Sequence, residues 1–409
     1  MNKLSTIIGI ILIVFLSSIL VIVANIDRTI VSSNISAITN DDIAENAKAK
    51  LQLDDEIYRA VQAGRIMLKN SPPLKDLGNK KQISLAIFNP STHNVTEHRY
   101  ELDISNEKYT GMVSLLGEDK NAPLVSISYW NGYNSTYEVS SPSGAVVVAN
   151  KYPVKSSNLG QLPERKSSPY SDIVYVPFSE SLSTPIHLVA GEKYLDEIIA
   201  KAYNELDKNS VMSIANPGEL ITAQVPRELV KTIILIEHID PSSFLSAPDG
   251  GRELLERVLA ILGTNKETAY RYSISPAGAS GISQFIRPTY KSMVERYPKA
   301  QLIPEYTVGT TTHINAVKAM VCFFDTHIKQ IREYIADYES DKPIHLTEEM
   351  LAATYNGGPF RVSQAISKHG MAWIYSQLDN SGTKKMFPRE TIDYVRKFSA
   401  IRNLLKSDK

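Results

Sequence analysis

The chain has 409 residues, of which 44 are Lys or Arg and 44 are Asp or Glu, so its formal net charge is zero. Hydrophobic residues make up 43% and charged residues 22%, which is enough apolar material for folded cores and excludes a wholly disordered chain. A neutral chain without a basic domain is not expected to bind nucleic acid. The single cysteine, Cys322, excludes an internal disulfide and a zinc site built from cysteines.

The N-terminal segment has the composition of a membrane anchor. Residues 4–24 carry no charge and are mostly Ile, Leu and Val, and a helix of that length at about 1.5 Å per residue would span the roughly 30 Å hydrocarbon core. Signal peptides have a shorter apolar region and end in a small-x-small site, which Ile22-Val23-Ala24 does not provide. We therefore predict an uncleaved anchor over residues 1–27, in the cytoplasmic membrane. Lys3 favours a cytoplasmic N-terminus, with the rest of the chain on the periplasmic side.

Two further segments precede the C-terminal half. Residues 28–79 are predicted to form a helical stalk or packing helix, because apolar residues such as Ile57 and Val61 recur at helical spacing. From about residue 80 the apolar period changes to two, and short segments rich in Val, Ile, Tyr and Ser alternate with turn signals such as Asn131-Gly132. This pattern predicts an antiparallel β domain over residues 80–189, a sandwich or barrel. It shows no chemistry and is a candidate docking surface for an envelope protein.

The C-terminal half is predicted to be helical. A connecting helix over residues 190–219 carries one apolar stripe that includes Leu195 and Ile198. A second helix opens at Pro226, and its apolar residues Val230, Ile233 and Ile234 lie on the same face as Glu237. A carboxylate on an apolar face either reaches past the core to a partner or lies in a cleft, where desolvation raises its pKa.

Three later segments place polar side chains beside glycines and helix ends. Residues 275–284, Ser-Pro-Ala-Gly-Ala-Ser-Gly-Ile-Ser-Gln, form a loop that lets backbone approach a ligand closely. Residues 355–359, Tyr-Asn-Gly-Gly-Pro, put a phenol and an amide at a helix end. Residues 390–395, Glu-Thr-Ile-Asp-Tyr-Val, begin the last amphipathic helix, where an acidic residue also suits the helix dipole.

In this order and at this spacing, Glu237 and the three segments resemble the catalytic domain of the soluble-lytic-transglycosylase family, a lysozyme-like helical fold. The resemblance covers residues near 220 to 405. Together with the upstream segments, it implies an α+β multidomain protein: an N-terminal transmembrane helix, an antiparallel β domain and a C-terminal all-α lysozyme-like catalytic domain over residues 220–409. The chain departs from the family pattern in having His238 where the family has Ser, Ser283 where it has Met, and Thr354 where it has Ala.

The resemblance implies one catalytic acid and no cofactor or metal. Glu237 would act as general acid and then as general base on the bond between N-acetylmuramic acid and N-acetylglucosamine, so that peptidoglycan strands are the partner and 1,6-anhydromuramyl ends are the product. By the same resemblance, one set of residues would bind the substrate and shape the cleft: Ser275, Gln284, Tyr355, Asn356, Glu390 and Tyr394. His238 would either replace the contact made by the family Ser or change the pH response of the enzyme.

Two alternatives remain open from the sequence. A lysozyme-type hydrolase would use the same Glu237 with water as the nucleophile. An inactive domain would bind glycan as a structural component of an envelope-spanning secretion apparatus, and the substitutions at His238 and Ser283 are the features that favour it.

Overall fold

The computed structural model describes residues 40–77, 80–103, 111–115, 122–336, 344–374 and 387–407. Residues 53–409 form one compact unit, and residues 1–52 form another. Helix α1 (Asn40–Asn70) is followed by the strands of the β region. These are β1 (Asp76–Leu77), β2 (Lys80–Asn89), β3 (Asn94–Asp103), β4 (Gly111–Met112), β5 (Ser114–Leu115), β6 (Leu124–Tyr129), β7 (Thr136–Ser141), β8 (Val146–Lys155) and β9 (Tyr170–Tyr175).

The described strands form two antiparallel sheets. The larger has the order β5-β3-β2-β8-β9, with β1 pairing with β2, and the smaller has the order β4-β6-β7. Strand β2 explains how they pack, because alternate side chains of a strand point to opposite faces. Ile83, Leu85 and Ile87 join a core with residues of the smaller sheet. Ala86 and Phe88 face the other way and pack in a core with the second half of α1.

The remaining described helices build the C-terminal region around one core. They are α2 (Pro185–Lys208), α3 (Ile221–Gln224), α4 (Arg227–Glu237), α5 (Pro241–Ser246), α6 (Arg252–Asn265), α7 (Arg287–Arg296), α8 (Tyr306–Thr311), α9 (His313–Ala336), α10 (Glu348–Gly357), α11 (Pro359–His369) and α12 (Arg389–Ser407). Helices α2 and α6 approach so closely that a Cβ on Gly191 would lie 1.9 Å from the carbonyl oxygen of Leu259. Helix α9 runs through the core with most of its side chains buried.

The predicted fold class is wrong in its membrane-spanning helix. No helix within residues 40–77, 80–103, 111–115, 122–336, 344–374 and 387–407 is long and apolar enough to cross a membrane. The long helices are amphipathic, and even the largely buried α9 carries Lys318, Asp325 and Lys329. The segment predicted as the anchor, residues 4–24, lies outside the described residues. The described architecture is α+β, an antiparallel β region followed by helices.

Candidate active site

Glu237 is the last residue of α4 and lies where the helix emerges from the core. Every residue from Leu229 to Ile236 is buried, whereas the Glu237 side chain is partly exposed to a cleft. Burial raises the pKa of Glu237 from 4.5 to about 7. The hydroxyl of Tyr394 donates a hydrogen bond to Oε1 of Glu237 and works against this shift, as does the nearby positive charge of Lys397. Glu237 therefore exchanges its proton near neutral pH, which a group acting as both acid and base requires.

One face of α12 supplies three groups around Glu237. Glu390, Tyr394 and Lys397 are four and then three residues apart, so they lie along the same side of the helix. The negative charge of Glu390 adds to the raised pKa of Glu237. The buried ammonium of Lys397 donates a 2.7 Å hydrogen bond to the carbonyl oxygen of Ile239. Burial lowers the pKa of Lys397 to about 8, with Glu237 opposing the shift.

Tyr355 and Asn356, at the end of α10, lie near Glu237 and Glu390 respectively. The Tyr355 hydroxyl donates a 2.5 Å hydrogen bond to the carbonyl oxygen of Ser283, and its ring packs between Phe323 and Phe324. Burial and the charge of Glu237 raise the pKa of Tyr355 well above its usual range, so its phenol stays protonated.

Asn356 connects α10 to α12. Its Nδ2 donates to Oε1 of Glu390 over 3.4 Å, and its Oδ1 accepts a 2.7 Å hydrogen bond from the hydroxyl of Thr391. Asn356 therefore holds Glu390 and the start of the last helix in position, which links two of the predicted site segments.

Ser275 and Gln284 stabilise the glycine-containing loop. The hydroxyl of Ser275 accepts a 3.0 Å hydrogen bond from the backbone N–H of Ala279, and Nε2 of Gln284 donates a 2.7 Å hydrogen bond to the carbonyl oxygen of Gly281. At Gly281, where φ is +71°, an added Cβ would lie 2.1 Å from the carbonyl oxygen of Thr310. Only glycine fits there, and the loop can therefore lie against the helical core.

His238 is stacked and neutral. Its ring lies flat on that of Tyr270, with centroids 3.6 Å apart and an interplanar angle of 9°, and its Nε2 lies 2.9 Å from the carbonyl oxygen of Ile282. Because a carbonyl can only accept, Nε2 carries a hydrogen. Burial lowers the pKa of His238 to about 3. An imidazole with this pKa does not change its charge near neutral pH. Of the two roles considered from the sequence, the structure therefore favours a structural contact over a change in the pH response.

A cleft of about 1050 Å³ opens beside Glu237. On the helical side it is lined by residues 237–241, Arg257 and Tyr270, and on the β side by residues 129–134, which run from the end of β6 through its connection to β7. None of the six residues predicted to bind the substrate and shape the cleft borders it: Ser275, Gln284, Tyr355, Asn356, Glu390 and Tyr394.

The sequence interpretation missed several groups at the site. Lys397 could have been found from its spacing after Glu390 and Tyr394, because the three positions share one helix face. Arg257, Tyr270 and the end of β6 carry no comparable sequence signal, since folding alone brings them to the cleft. Across the described residues, no group of three or more His, Cys, Asp or Glu side chains is arranged to hold a metal ion. No protein-family model, curated protein or solved structure matches the chain.

Proposed function

We propose that the chain is a peptidoglycan lytic transglycosylase that uses Glu237 as its single acid and base. The observation that carries this proposal is the state of the Glu237 carboxyl, which lies at the edge of a large cleft and has a pKa raised to about 7. A general acid works best when its pKa lies near the operating pH, because it then both holds and releases a proton. Peptidoglycan lies outside the cytoplasm, so the proposal places the chain on the extracytoplasmic side.

The proposed reaction transfers one proton out and one proton back. The carboxylic acid of Glu237 protonates the glycosidic oxygen as the bond from C1 of N-acetylmuramic acid to that oxygen breaks. The C6 hydroxyl oxygen of the same sugar then bonds to C1, and its proton passes to the Glu237 carboxylate. The products are a 1,6-anhydromuramyl end and a free N-acetylglucosamine hydroxyl, and no water is consumed.

The hydrogen bond from Tyr394 supports both halves of this cycle. Its hydroxyl donates to Oε1 of Glu237, which leaves Oε2 to carry the proton that moves to and from the substrate. Lys397 stabilises the carboxylate that forms after the first transfer, because its charge favours the ionised acid. These two contacts hold the pKa of Glu237 below the value that burial alone would give it.

A second carboxylate favours lysozyme-type hydrolysis as the alternative. Asp240 lines the same cleft, and its pKa is lowered mainly by the hydrogen bond from the backbone N–H of Ser243. A hydrolase that uses one protonated and one ionised carboxyl has one carboxyl with a raised pKa and one with a lowered pKa. However, Oδ1 of Asp240 accepts hydrogen bonds from both the N–H and the hydroxyl of Ser243, at 2.7 and 2.9 Å, and so caps α5. This capping role accounts for the lowered pKa.

Product chemistry distinguishes the two reactions. The full chain would be incubated with purified sacculi in water enriched in heavy oxygen, and the released muropeptides would be analysed by mass spectrometry. We expect anhydro ends without heavy oxygen and without a borohydride-reducible end. Reducible ends that carry heavy oxygen would establish hydrolysis and contradict the proposal.

The matched variants are Glu237→Gln and Asp240→Asn. Each removes one carboxylate while keeping the shape, and Asn is as good a helix cap as Asp. We expect Glu237→Gln to lower the rate of muropeptide formation at least about a hundredfold, and Asp240→Asn to leave that rate within a few fold of wild type. Loss of activity in Asp240→Asn with its thermal stability retained would indicate the two-carboxylate mechanism.

A further inference from the structure

The β region and the helical region both line the cleft. Residues 129–134, here called the β6–β7 segment, line it together with Arg257 and Tyr270. Tyr129 is 57% exposed, and Asn131 beside it is also exposed. A cleft of about 1050 Å³ is at the upper end of the roughly 300–1000 Å³ typical of pockets for drug-sized ligands, so it has room for more than one sugar ring.

The β6–β7 segment is held rigidly from both sides. Its backbone is tied to β8 by Asn150, whose Nδ2 donates a 2.7 Å hydrogen bond to the carbonyl oxygen of Tyr133. The Tyr133 ring packs edge-on against Tyr175 and Tyr272, with centroids 4.9 and 5.7 Å apart. Oδ1 of Asn134 accepts a 3.1 Å hydrogen bond from the N–H of Phe178, which leads towards the helical region. A wall fixed in this way can bind a ligand without first paying the entropy of ordering itself.

Arg257 and Tyr270 add a cation and a buried hydroxyl to the lining of the same cleft. The guanidinium of Arg257 lies over the Phe178 ring, 4.4 Å from its centroid, and forms no ion pair with a carboxylate in the part of the chain that the structure describes. The hydroxyl of Tyr270 is buried and has no hydrogen-bond partner among the described residues. Arg257 therefore has donors available for a carboxylate, for which its planar fork is suited.

We propose that the β6–β7 segment and Arg257 form an additional subsite for a polymeric, carboxylate-bearing glycan, continuous with the bond-cleaving site at Glu237. The inference rests on the proposed function and deepens it, because it assigns the β region a role in holding the substrate. The apolar face of a pyranose ring would lie against Tyr129, since aromatic faces attract the C–H groups of such a ring. Asn131 supplies a donor and an acceptor for sugar hydroxyl or acetamido groups, and Arg257 binds a carboxylate of the muramyl substituent.

The test uses Tyr129→Ser and Arg257→Gln, with Tyr334→Ser as the control. Tyr334 is a comparably exposed tyrosine, at 41%, on α9 and away from the cleft. Binding to insoluble peptidoglycan would be measured in the Glu237→Gln background, where no cleavage consumes the ligand. We expect roughly two- to tenfold weaker binding for Tyr129→Ser, the size of one aromatic contact, and no change for Tyr334→Ser.

Two further measurements isolate the subsite. On peptidoglycan whose carboxyl groups have been amidated, the difference between wild type and Arg257→Gln should disappear. In the active enzyme, with Glu237 intact, kcat/KM would be measured on the polymer and on a short oligosaccharide. Tyr129→Ser should lower the ratio of the first value to the second, through a higher KM for the polymer.

The outcomes separate this inference from the proposed function. If wild type cleaves peptidoglycan and Tyr129→Ser and Arg257→Gln both bind like Tyr334→Ser, the subsite is refuted while the enzyme assignment stands. If the wild type neither binds nor cleaves peptidoglycan, both are refuted. If the Glu237→Gln background binds through Tyr129 and Arg257 but wild type cleaves nothing, the glycan subsite is supported and the catalytic proposal is refuted.

Discussion

The β region and the helical region both bury titratable side chains, but burial has opposite consequences in the two. In the sheets, Tyr100 and Tyr137 are buried and desolvation raises their pKa further above neutrality. At the end of α4, desolvation raises the pKa of Glu237 to about 7, and on α12 it lowers that of Lys397 to about 8. Desolvation disfavours the charged form in each case. It therefore brings a pKa towards neutrality only where the buried residue is an acid whose ordinary pKa lies below 7 or a base whose ordinary pKa lies above 7.

His238 shows that proximity to the site is not sufficient. It adjoins Glu237 and is partly buried like it, yet desolvation moves its pKa to about 3, away from neutrality. The ordinary pKa of a histidine is near 6.5, so desolvation, which disfavours the charged form, lowers that pKa out of the physiological range. The contrast between Glu237 and His238 predicts which variants affect the reaction and which affect only the fold.

The largest effect should come from Glu237→Gln. Removing the proton donor should lower turnover of peptidoglycan by about a hundredfold to ten-thousandfold, the usual contribution of general acid–base catalysis. Muropeptide release from sacculi measures this directly. Cleavage at the wild-type rate by a folded Glu237→Gln variant would show that the raised pKa of Glu237 does not contribute to catalysis.

The same variant tests the pKa itself through stability. The folded-state pKa of about 7 lies above the ordinary 4.5, so the carboxyl contributes stability that is fully present below pH 4.5 and is lost as the pH rises through 7. Glu237→Gln does not titrate. Denaturant unfolding should therefore show the variant gaining stability relative to wild type across that window. A constant difference at all pH values would mean that Glu237 has an ordinary pKa.

Tyr394→Phe should have the next largest effect. Without the hydroxyl, Oε1 of Glu237 loses a hydrogen bond that lowers its pKa, so the pKa should rise and the loss of activity at alkaline pH should begin at a higher pH. Turnover should fall about tenfold, in line with a hydrogen bond to a charged group. The control is Tyr137→Phe in the sheet, whose pH–rate profile should match wild type. Equal profiles for both variants would contradict the assigned contact.

Lys397→Met should give a smaller change in the same direction. Its ammonium lowers the pKa of Glu237, so its removal should also move the alkaline limb of the pH–rate profile upwards, with a change of roughly a few fold at neutral pH. Lys397→Arg, which keeps the charge, is the matched comparison. A profile shifted downwards by the methionine variant would show that the ammonium does not act on Glu237.

His238→Ser should affect the reaction least. Because His238 is already neutral, its replacement should leave the shape of the pH–rate profile unchanged. It should lower the free energy of unfolding by about 1–3 kcal/mol, since the Ile282 carbonyl loses its partner. Chemical denaturation measures the cost, and a shifted pH optimum would show that His238 titrates in the active enzyme.

Local sequence patterns predicted secondary-structure elements, but they did not predict how those elements pack together. The apolar period of two after residue 80 predicted an antiparallel β region, which contains strands such as β6, Leu124–Tyr129, and the stripe at Leu195 and Ile198 predicted a helix at the position of α2. The predicted strands did not indicate that the larger sheet packs the second half of α1 on one face and the smaller sheet on the other. A period of two identifies the faces of a strand, whereas the partner of each face depends on contacts distant in sequence.

The sequence by itself determined that Glu237 would lie on the apolar side of α4, because Val230, Ile233 and Ile234 recur at the helical period beside it. That spacing left two outcomes for the carboxylate, a partner beyond the core or a cleft in which desolvation raises its pKa. Only the tertiary structure decided which groups oppose the shift, since the Tyr394 hydroxyl and the Lys397 ammonium are brought from α12 at the other end of the region. It also decided that β6 supplies a wall of the cleft. Helical periodicity specifies which side chains are buried, but electrostatics and binding depend on distances that chain folding alone establishes.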